Sequence, residues 1–455
     1  MSKITIIQGA QWGSEAKGMV AVALAARERF RVAVRTGAIN AGHTFYIEGT
    51  DQKLEGVGVD GRDLIFKMQQ LPAAWPYVTD LALGPGAYIH PPTLQREMGW
   101  LKAYAPEVNL RIDSRCCMHG ETEEKRAKEA NRHISMGAVG KGCSEAVISK
   151  LQGRGHALEP EKLDDYNFYQ AWRKNKLENF NPYLNLATSF IDVPSWLRYQ
   201  YGEGNNIMLE GTQGTFLDLH VGPWPYVTSR QTIASAWIAE AGLGPNLNYE
   251  VVLVARTYPI RVAGNSGPMV GEISWPELAR LQNSRAGYEV IPESAIHSFE
   301  NACEVIVDRN QDLYPAGSNG TDLHTWNGDE KRKYAHTLSN HYSEVLRYVE
   351  ERFPADYSEL MKLFEFTTVT RKLRRIARLD TGVLRNAVEL NTASYVVLTF
   401  LNYEFPKVVG LTTWRQVQNA CPEVTRYITV MEREIRCPIR FVTTGPRTEN
   451  MVEIV

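Results

Sequence analysis

The sequence predicts an α/β fold with a central, mostly parallel sheet of P-loop-like type, and two observations lead to this class. Short apolar segments bounded by Gly, Pro or Asn recur along the chain, as β-strands do. Segments with apolar residues three and four positions apart fall between many of them, as expected for amphipathic helices. Alternating strands and helices favour parallel strands joined by helical crossovers.

Seven segments carry the strand pattern, and two others carry the clearest helical pattern. The predicted strands are Ile4 to Ile7, Val32 to Arg35, Leu81 to Leu83, Ile207 to Leu209, Val251 to Val254, Tyr395 to Leu398 and Ile439 to Val442. The predicted helices are Lys17 to Arg29 and Leu379 to Leu390. Polar or charged stretches at about 155–200 and 275–360 interrupt the alternation, so we interpret them as helical insertions into one elaborated domain, residues 1–455.

Composition excludes several classes of function. Fifty basic and 52 acidic residues give a net charge of -2, which argues against binding of polymeric nucleic acid or of an anionic membrane. The six cysteines show no paired zinc spacing and favour reduced thiols, typical of a cytoplasmic protein. No apolar stretch approaches the ~18 residues of a spanning helix. We therefore expect a cytoplasmic protein, in the host cytoplasm if the gene is viral.

The segment Ile4 to Gly18 predicts a phosphate-binding turn. A β-branched strand leads into small residues, one lysine (Lys17) and the start of a helix. Backbone N–H groups and the helix dipole at such a start attract phosphate. The turn lacks the full spacing of the commonest P-loop, so taken alone it leaves a phosphate site and a plain structural turn equally open.

A second candidate segment, Arg35 to Thr44, also follows a predicted strand and holds His43 among small residues. A histidine there could meet a phosphate oxygen or a transferring phosphoryl group. Alone, a loop histidine is more often structural or solvent-facing.

Taken together, these segments resemble the adenylosuccinate synthetase family, and further matches follow in order along the chain. They are Gly13 to Gly18, Asn40 to Thr44, Met136 to Gly142, Leu209 to Thr215, Trp224 to Ser229, Arg261 with Val262, Thr368 to Arg375 and Thr443 to Pro446. In that family a nucleoside triphosphate phosphorylates O6 of a purine monophosphate, and the amine of L-aspartate then displaces the phosphate. The resemblance also implies Mg²⁺ and a homodimer with the site near its interface.

The resemblance assigns residues to each part of the site. Lys17, His43 and Ser14 would be catalytic, with Ser14 and Gly42 at the metal. The donor nucleotide would be bound by Gly13, Ser14, Glu15, Ala16, Lys17, Gly18, Gly42, His43, Thr44, Phe400, Asn402, Thr443, Gly445 and Pro446. The acceptor monophosphate would be bound by Ser14, Asn40, Ala138, Val139, Arg154, Gln213, Thr228, Val262 and Lys372. The aspartate carboxylates would be bound by Thr368, Val369, Thr370 and Arg374.

Two departures from the family pattern indicate different substrates. The family has an aspartate at position 14, where it removes the purine N1 proton and ligates Mg²⁺, whereas this chain has Ser14. A serine leaves room beside the purine for the 2-amino group of guanine and can accept its hydrogen bond. Thr399 to Asn402 lacks the aspartate that reads guanine in the donor. Phe400 could stack on a base and Asn402 could serve an adenine edge, so we expect ATP or dATP as donor.

These changes resemble a phage-type branch that acts on dGMP on the way to 2-aminoadenine for viral DNA. Ala16 replaces a family glycine, and Val139 replaces a threonine that contacts the monophosphate. After the second change, the monophosphate would be contacted by backbone amides, by Lys372 and by Arg154 of a second subunit. Arg154 could equally be a solvated surface residue.

Two other functions stay open at this stage: an adenylosuccinate synthetase acting on IMP, and a noncatalytic nucleotide-binding protein. The group that replaces the aspartate base is also open. The donor phosphate, a Mg²⁺-bound hydroxide and Glu15 are the candidates, and Glu15 also suits a helix start. Ribose is not distinguished from deoxyribose, nor ATP from dATP.

Overall fold

The computed structural model describes residues 2–49, 57–60, 63–113, 115–130, 140–156, 188–263, 266–309, 341–366 and 373–455. Its strands are β1 (Ile4–Gly9), β2 (Val32–Gly37), β3 (His43–Glu48), β4 (Gly58–Asp60), β5 (Asp63–Met68), β6 (Asp80–Ile89), β7 (Asn109–Asp113), β8 (Cys117–Met118), β9 (Thr188–Ile191), β10 (Ile207–Glu210), β11 (Tyr249–Arg256), β12 (Ile260–Arg261), β13 (Glu272–Ile273), β14 (Arg375–Ala377), β15 (Tyr395–Thr399), β16 (Ile439–Thr443) and β17 (Met451–Glu453). All seven predicted strands are present.

The main sheet has the strand order β17-β16-β15-β11-β1-β10-β2-β6-β7-β9, with β8 paired to β6. The nine strands from β16 to β9 run parallel, and β17 is antiparallel at one edge. This arrangement confirms the predicted α/β class. Because β1 lies between β10 and β11, the carboxyl ends of three strands meet at the centre of one sheet edge, where ligands of such sheets bind.

Helices cover both faces of the sheet. They are α1 (Lys17–Arg27), α2 (Pro91–Tyr104), α3 (Glu121–Glu129), α4 (Cys143–His156), α5 (Val193–Gly202), α6 (Ala234–Glu240), α7 (Trp275–Ala286), α8 (Glu293–Arg309), α9 (Tyr342–Arg352), α10 (Pro354–Leu360), α11 (Thr381–Asn391), α12 (Leu401–Glu404), α13 (Trp414–Ala420) and α14 (Glu423–Ile435). Strand alternation divides the core: Ile7 of β1 packs with α1 and α2, whereas Ile6 packs with α5 and α6.

The ends of the two predicted helices need small corrections. Helix α1 ends two residues before the predicted Arg29 because Glu28 already has extended backbone angles. Helix α11 begins at Thr381 rather than at Leu379, because the Asp380 side chain accepts a hydrogen bond from the Val383 N–H and caps the helix there.

The expected insertions differ in how they relate to the sheet. Residues 157–187 of the first lie outside the described residues, and the sheet resumes at β9, before the predicted boundary near 200, because β9 pairs with β7. Helices α7 to α10 in the second form an apolar core of their own, around Phe299, together with residues of β12 and β14. These two strands and β13 form a separate three-stranded sheet.

Within the part of the chain that the structure describes, no helix combines the length and the apolar character needed to cross a membrane. A third sheet, β3-β5-β4, is antiparallel and begins at His43.

Candidate functional site

The loops that follow β1, β11 and β15 meet at the carboxyl edge of the main sheet. The Gln11 side chain donates to the Arg256 carbonyl at 3.0 Å and accepts from the Arg256 N–H at 2.9 Å. Thr399 Oγ1 donates to the Glu15 carbonyl at 3.1 Å. Segments far apart in sequence are therefore held together by direct hydrogen bonds at this edge.

The loop between β1 and α1 has the backbone of an anion site. Gly13, Ser14 and Ala16 have positive φ angles of 88°, 62° and 65°. Ala16 is the N-cap residue of α1, and no side chain caps the helix there, so the first N–H groups stay available for a ligand. Ala16 thus keeps a left-handed backbone although the family glycine is absent.

Glu15 and Lys17 form a buried ion pair inside this loop, which the sequence did not predict. Glu15 is fully buried, and its Oε1 accepts from the N–H groups of Gln11 at 3.1 Å and Gly13 at 2.8 Å. Its Oε2 accepts from Lys17 Nζ at 2.7 Å, and Lys17 Nζ also donates to the Gln213 carbonyl. Both oxygens of Glu15 are engaged, which favours a role in shaping the loop.

His43 starts β3 and lies buried beside α1. Its Nδ1 is 2.5 Å from Glu210 Oε1, at the end of β10. Arg35 Nη1 is 3.2 Å from the same oxygen, and the Ala73 N–H donates to Glu210 Oε2 at 2.7 Å. Among the described residues, His43 Nε2 has no hydrogen-bond partner although it is buried. This nitrogen is therefore free to meet a ligand.

Burial, helped by the positive charge of Arg35, lowers the pKa of His43 to about 4. Arg35 balances the charge of Glu210, so the ring need not be protonated to satisfy the carboxylate. Because a carboxylate accepts but does not donate, we assign the ring proton to Nδ1. At neutral pH, His43 Nε2 then carries a lone pair.

Ser14 is exposed and contacts two arginines. Its Oγ accepts from Arg374 Nη1 at 2.5 Å, and its carbonyl accepts from Arg256 Nη1 at 3.2 Å. Arg374 Nε donates to the Phe366 carbonyl at 3.0 Å. The structure thus joins Ser14, which the resemblance assigned to catalysis, the metal and both nucleotides, to Arg374, which it assigned to aspartate.

Arg256 and Glu365 form a second ion pair that sequence reasoning missed. Arg256 is 1% exposed, and its guanidinium makes a two-point contact with the Glu365 carboxylate, including Nη1 to Oε2 at 3.0 Å. Tyr403 OH donates to Glu365 Oε1 at 2.9 Å. The position of Arg256 at the end of a buried strand is a signal that could have found it; we see no such signal for Glu365.

Phe400 and the loop after β16 form the other end of the site. Phe400 has a φ of 59°, which is uncommon for a bulky residue. Its N–H donates to Thr443 Oγ1 at 3.0 Å, and its carbonyl accepts from Thr257 Oγ1 at 2.6 Å. The guanidinium carbon of Arg256 lies 3.6 Å from the centre of its ring. Asn402, Gly445 and Pro446 retain exposed surface beside it.

The other assigned residues vary in what the structure says of them. Asn40, Gly42, Gln213, Thr228 and Val262 lie on loops and are partly buried; Thr44 is exposed on β3, and Gly18 lies in α1 against His43. Ala138, Val139, Thr368, Val369, Thr370 and Lys372 lie outside the described residues, as does the side chain of Arg154 on α4. The predicted aspartate loop is thus described only at Arg374.

The oxygens that the resemblance assigns to Mg²⁺ are neutral. Within the described ranges, no group of three or more His, Cys, Asp or Glu residues could hold a metal. Ser14 Oγ and the Gly42 carbonyl would supply one oxygen each. This set fits Mg²⁺, which often keeps several waters and takes substrate phosphate oxygens as its other ligands.

Comparison with known proteins gives one consistent result. The family model described as adenylosuccinate synthetase matches residues 6–404. The adenylosuccinate synthetase of Methanocaldococcus jannaschii is 24% identical over 99% of this chain and 96% of its own length. That of Methanococcus vannielii is 32% identical over 61% of this chain and 72% of its own length.

Two solved structures share the fold. The cyanophage S-2L succinoaminodeoxyadenylate synthetase, bound to dGMP and to dATP as an energy donor, has a TM-score of 0.63 and 21% identity, over 100% of this chain and 95% of that one. The fully ligated adenylosuccinate synthetase from Plasmodium falciparum has a TM-score of 0.64 and 17% identity, over 99% of both chains.

Proposed function

The chain belongs to the adenylosuccinate synthetase family, and we propose that it joins L-aspartate to C6 of dGMP with ATP or dATP as phosphoryl donor. Members of the family are ligases that join aspartate to a purine nucleotide, using a nucleoside triphosphate and Mg²⁺. The product would be 2-amino-2'-deoxy-N6-succinyladenylate, a precursor of 2-aminoadenine in DNA. The proposal therefore concerns the identity of the acceptor and of the donor.

The observation that carries the proposal is the Ser14 hydroxyl and its contact with Arg374. A hydroxyl oxygen can accept two hydrogen bonds, and Arg374 Nη1 supplies one of them at 2.5 Å. The second lone pair, on an exposed side chain, suits the 2-amino group of guanine. Hypoxanthine has no amino group at this position, so IMP would leave that acceptor without a partner.

The loop after β15 supports an adenine donor. Thr399 to Asn402 offers no carboxylate for the N1–H and N2–H donors of guanine. The amide of Asn402 can instead accept from N6 of adenine and donate to N1. The cyanophage protein of the same fold is bound to dATP and to dGMP, which agrees with both parts of the proposal.

Lys17 and His43 would act on the transferring phosphoryl group. An ammonium has three donors, and two of those on Lys17 are used by Glu15 and Gln213, which leaves one for a donor phosphate. Phosphate charge near His43 Nε2 would raise the pKa of the ring and favour a proton there. His43 would then donate to the phosphoryl oxygen while Glu210 holds Nδ1.

Two bond exchanges complete the reaction. O6 of the purine attacks the γ-phosphorus as N1 loses its proton, and the nucleoside diphosphate leaves; the aspartate amine then attacks C6, loses a proton and expels phosphate. When bound, Mg²⁺ would neutralise the donor phosphates, held by the Gly42 carbonyl, because Arg374 and the 2-amino group would take both lone pairs of the Ser14 hydroxyl. Both Glu15 oxygens are engaged in the loop, so we assign the N1 proton to a group of the bound substrates.

A second candidate is synthesis of adenylosuccinate from IMP. It is favoured by the archaeal relatives, which carry that name and align over almost the whole chain. The Ser14 hydroxyl is the feature that argues against it.

The test is a matrix of acceptors (dGMP, GMP, IMP and dIMP) against donors (ATP, dATP and GTP), with aspartate present and phosphate release as the readout. We expect aspartate-dependent release with dGMP and an adenine donor. Turnover of IMP without turnover of dGMP would establish the second candidate instead. Nucleotide binding without release for any pair would indicate a noncatalytic protein.

A further inference from the structure

We propose that Arg256 is a positioning residue that couples the donor nucleotide subsite to the acceptor subsite, with Glu365 holding its guanidinium in place. The inference rests on the proposed function in that both subsites bind nucleotides. It takes from that proposal the placement of the donor base at Phe400 and of the acceptor base at Ser14.

On the donor side, Arg256 supports Phe400. The guanidinium carbon lies 3.6 Å from the ring centre, so the cation covers one face of the ring. Phe400 keeps partial exposure, which leaves other ring surface for a base. Hydrogen bonds to Thr257 and Thr443 fix the unusual backbone of Phe400. If Arg256 moves, the Phe400 ring can therefore follow it only if these two hydrogen bonds change.

On the acceptor side, the same guanidinium holds the loop that carries Ser14. Arg256 Nη1 donates to the Ser14 carbonyl at 3.2 Å. The backbone of Arg256 is bonded in both directions to the Gln11 side chain, in the same loop. One side chain therefore contacts both the platform for the donor base and the residue that meets the acceptor base.

Glu365 sets the geometry of this connection. Its two oxygens take both terminal nitrogens of Arg256, and Tyr403 OH adds a third hydrogen bond. Although burial disfavours the charge, Glu365 raises the pKa of Arg256, so the guanidinium stays protonated. Arg374 faces the same carboxylate and donates to Ser14 Oγ, which gives Ser14 a second link to Glu365.

The shared guanidinium makes cooperative binding the expected consequence. A base that packs on Phe400 restrains this ring against the guanidinium that Glu365 holds, and with it the Ser14 loop, before the acceptor arrives. Binding of the second ligand then removes less conformational freedom from the protein. Each nucleotide therefore increases the affinity for the other by the same factor.

The experiment measures the dissociation constant of the acceptor monophosphate with and without a saturating β,γ-imido ATP analogue. The acceptor is whichever monophosphate supports turnover in the matrix, or dGMP if none does. In the unmodified protein we expect the analogue to increase acceptor affinity about fivefold or more. In Arg256→Lys, which keeps the charge but loses the planar two-point contact, we expect this factor to fall to about one.

Glu365→Gln is the second variant, because it keeps the shape of the side chain and removes its charge. This variant should also lose the coupling. The dissociation constant of each nucleotide alone should change by a smaller factor than the coupling does. Glu272→Gln is the matched control: Glu272 makes a comparable buried two-point pair with Arg375, and its carboxylate bonds to Arg375 and not to Arg256. This control should keep the coupling even if its melting temperature falls.

An unmodified protein without coupling, or an unchanged factor in both Arg256→Lys and Glu365→Gln, would overturn the inference. Equal loss in Glu272→Gln would also overturn it, because it would assign the effect to general destabilisation. Absence of dGMP turnover leaves these binding measurements intact, so failure of the proposed function is distinguishable.

Discussion

The proposed choice of acceptor depends on Ser14, whose exposed hydroxyl oxygen accepts a hydrogen bond from Arg374 Nη1 at 2.5 Å. Ser14→Asp adds bulk where a 2-amino group would lie and places a carboxylate against Arg374. We expect kcat/KM for dGMP to fall about 10- to 100-fold, the range of an overpacked site. Steady-state kinetics with dGMP and IMP side by side measures the change.

Ser14→Ala distinguishes the effect of the room beside the purine from the effect of the hydrogen bond that the hydroxyl would accept. It keeps the room for the amino group and removes the acceptor, so we expect about a tenfold loss for dGMP and no comparable loss for IMP. Ser358→Ala is a matched control, since that exposed hydroxyl donates to the Pro354 carbonyl on α10 at 3.1 Å, within its own helix. Unchanged dGMP kinetics in both Ser14 variants would remove the basis of the acceptor assignment.

His43 is the second residue whose replacement should affect chemistry more than binding. We expect His43→Ala to lower kcat about 10²- to 10⁴-fold, since its buried Nε2 is the group free to meet the phosphoryl oxygen. Nucleotide affinity should change less than about tenfold. His297→Ala, at an exposed histidine on α8, serves as control. Parallel losses in kcat and in affinity would instead indicate a binding role.

Residues with a local sequence signature could be proposed from the sequence, and those defined by distant contacts could not. Lys17 and His43 stand in small-residue loops directly after strands, which marks them in the sequence. Glu365 acts through Arg256, more than a hundred positions away along the chain. Since only the folded sheet brings these two together, no local pattern could have paired them.

At the level of elements, the contact between α1 and β3 fixes the distance between the loop that follows β1 and His43. A Cβ at Gly18 would lie 2.6 Å from the Cβ of His43 and 2.8 Å from its carbonyl carbon. A glycine is therefore required where the first turn of α1 passes the start of β3.

Gly18→Ala should destabilise the fold by about 1–3 kcal/mol through this overlap, although alanine is the better helix former. It should also lower kcat, because His43 must move. Gly99→Ala on α2 is a close control, since a Cβ there meets nothing within 4 Å and should leave stability equal or slightly higher. Thermal melts and kcat of both variants test this; a Gly18→Ala protein with native stability and rate would contradict it.

Elements were easier to predict than their connections. The central strands are buried on both faces and read as continuous apolar segments, so all seven were predictable. The helix ends moved by one or two residues because caps such as Asp380 decide them. The return of the chain to the sheet at β9 was missed, since pairing with β7 leaves little trace in four residues.

At the level of the whole molecule, buried histidines make stability depend on pH. Burial lowers the pKa of both His43 and His90 to about 4, below the ordinary value of 6.5. The unfolded chain therefore takes up these protons first. The stability that these two neutral histidines contribute is fully present above about pH 6.5, and it decreases as the pH falls towards 4. Between pH 7 and 5.5 each histidine should lower the free energy of unfolding by about 1 kcal/mol.

His90→Asn tests this without disturbing the site. His90 caps α2 by accepting from the Thr93 N–H, and asparagine is also a good N-cap residue. Between pH 7 and 5.5, the free energy of unfolding should fall by about 1 kcal/mol less in this variant than in the unmodified protein, as measured by urea denaturation. His297→Asn, at an exposed position, should follow the unmodified protein. Identical pH dependence in all three proteins would contradict the assigned titration.

The sheet order also has a consequence for how the protein is made. Strand β1 is synthesised before both of its neighbours, which begin at Ile207 and Tyr249, and the residues that support Phe400 extend to Thr443. Such non-local pairing is slow to form. The apolar face of β1 must therefore be kept from aggregating until both neighbours have been synthesised, and Phe400 can take its final position only after Thr443 has been added.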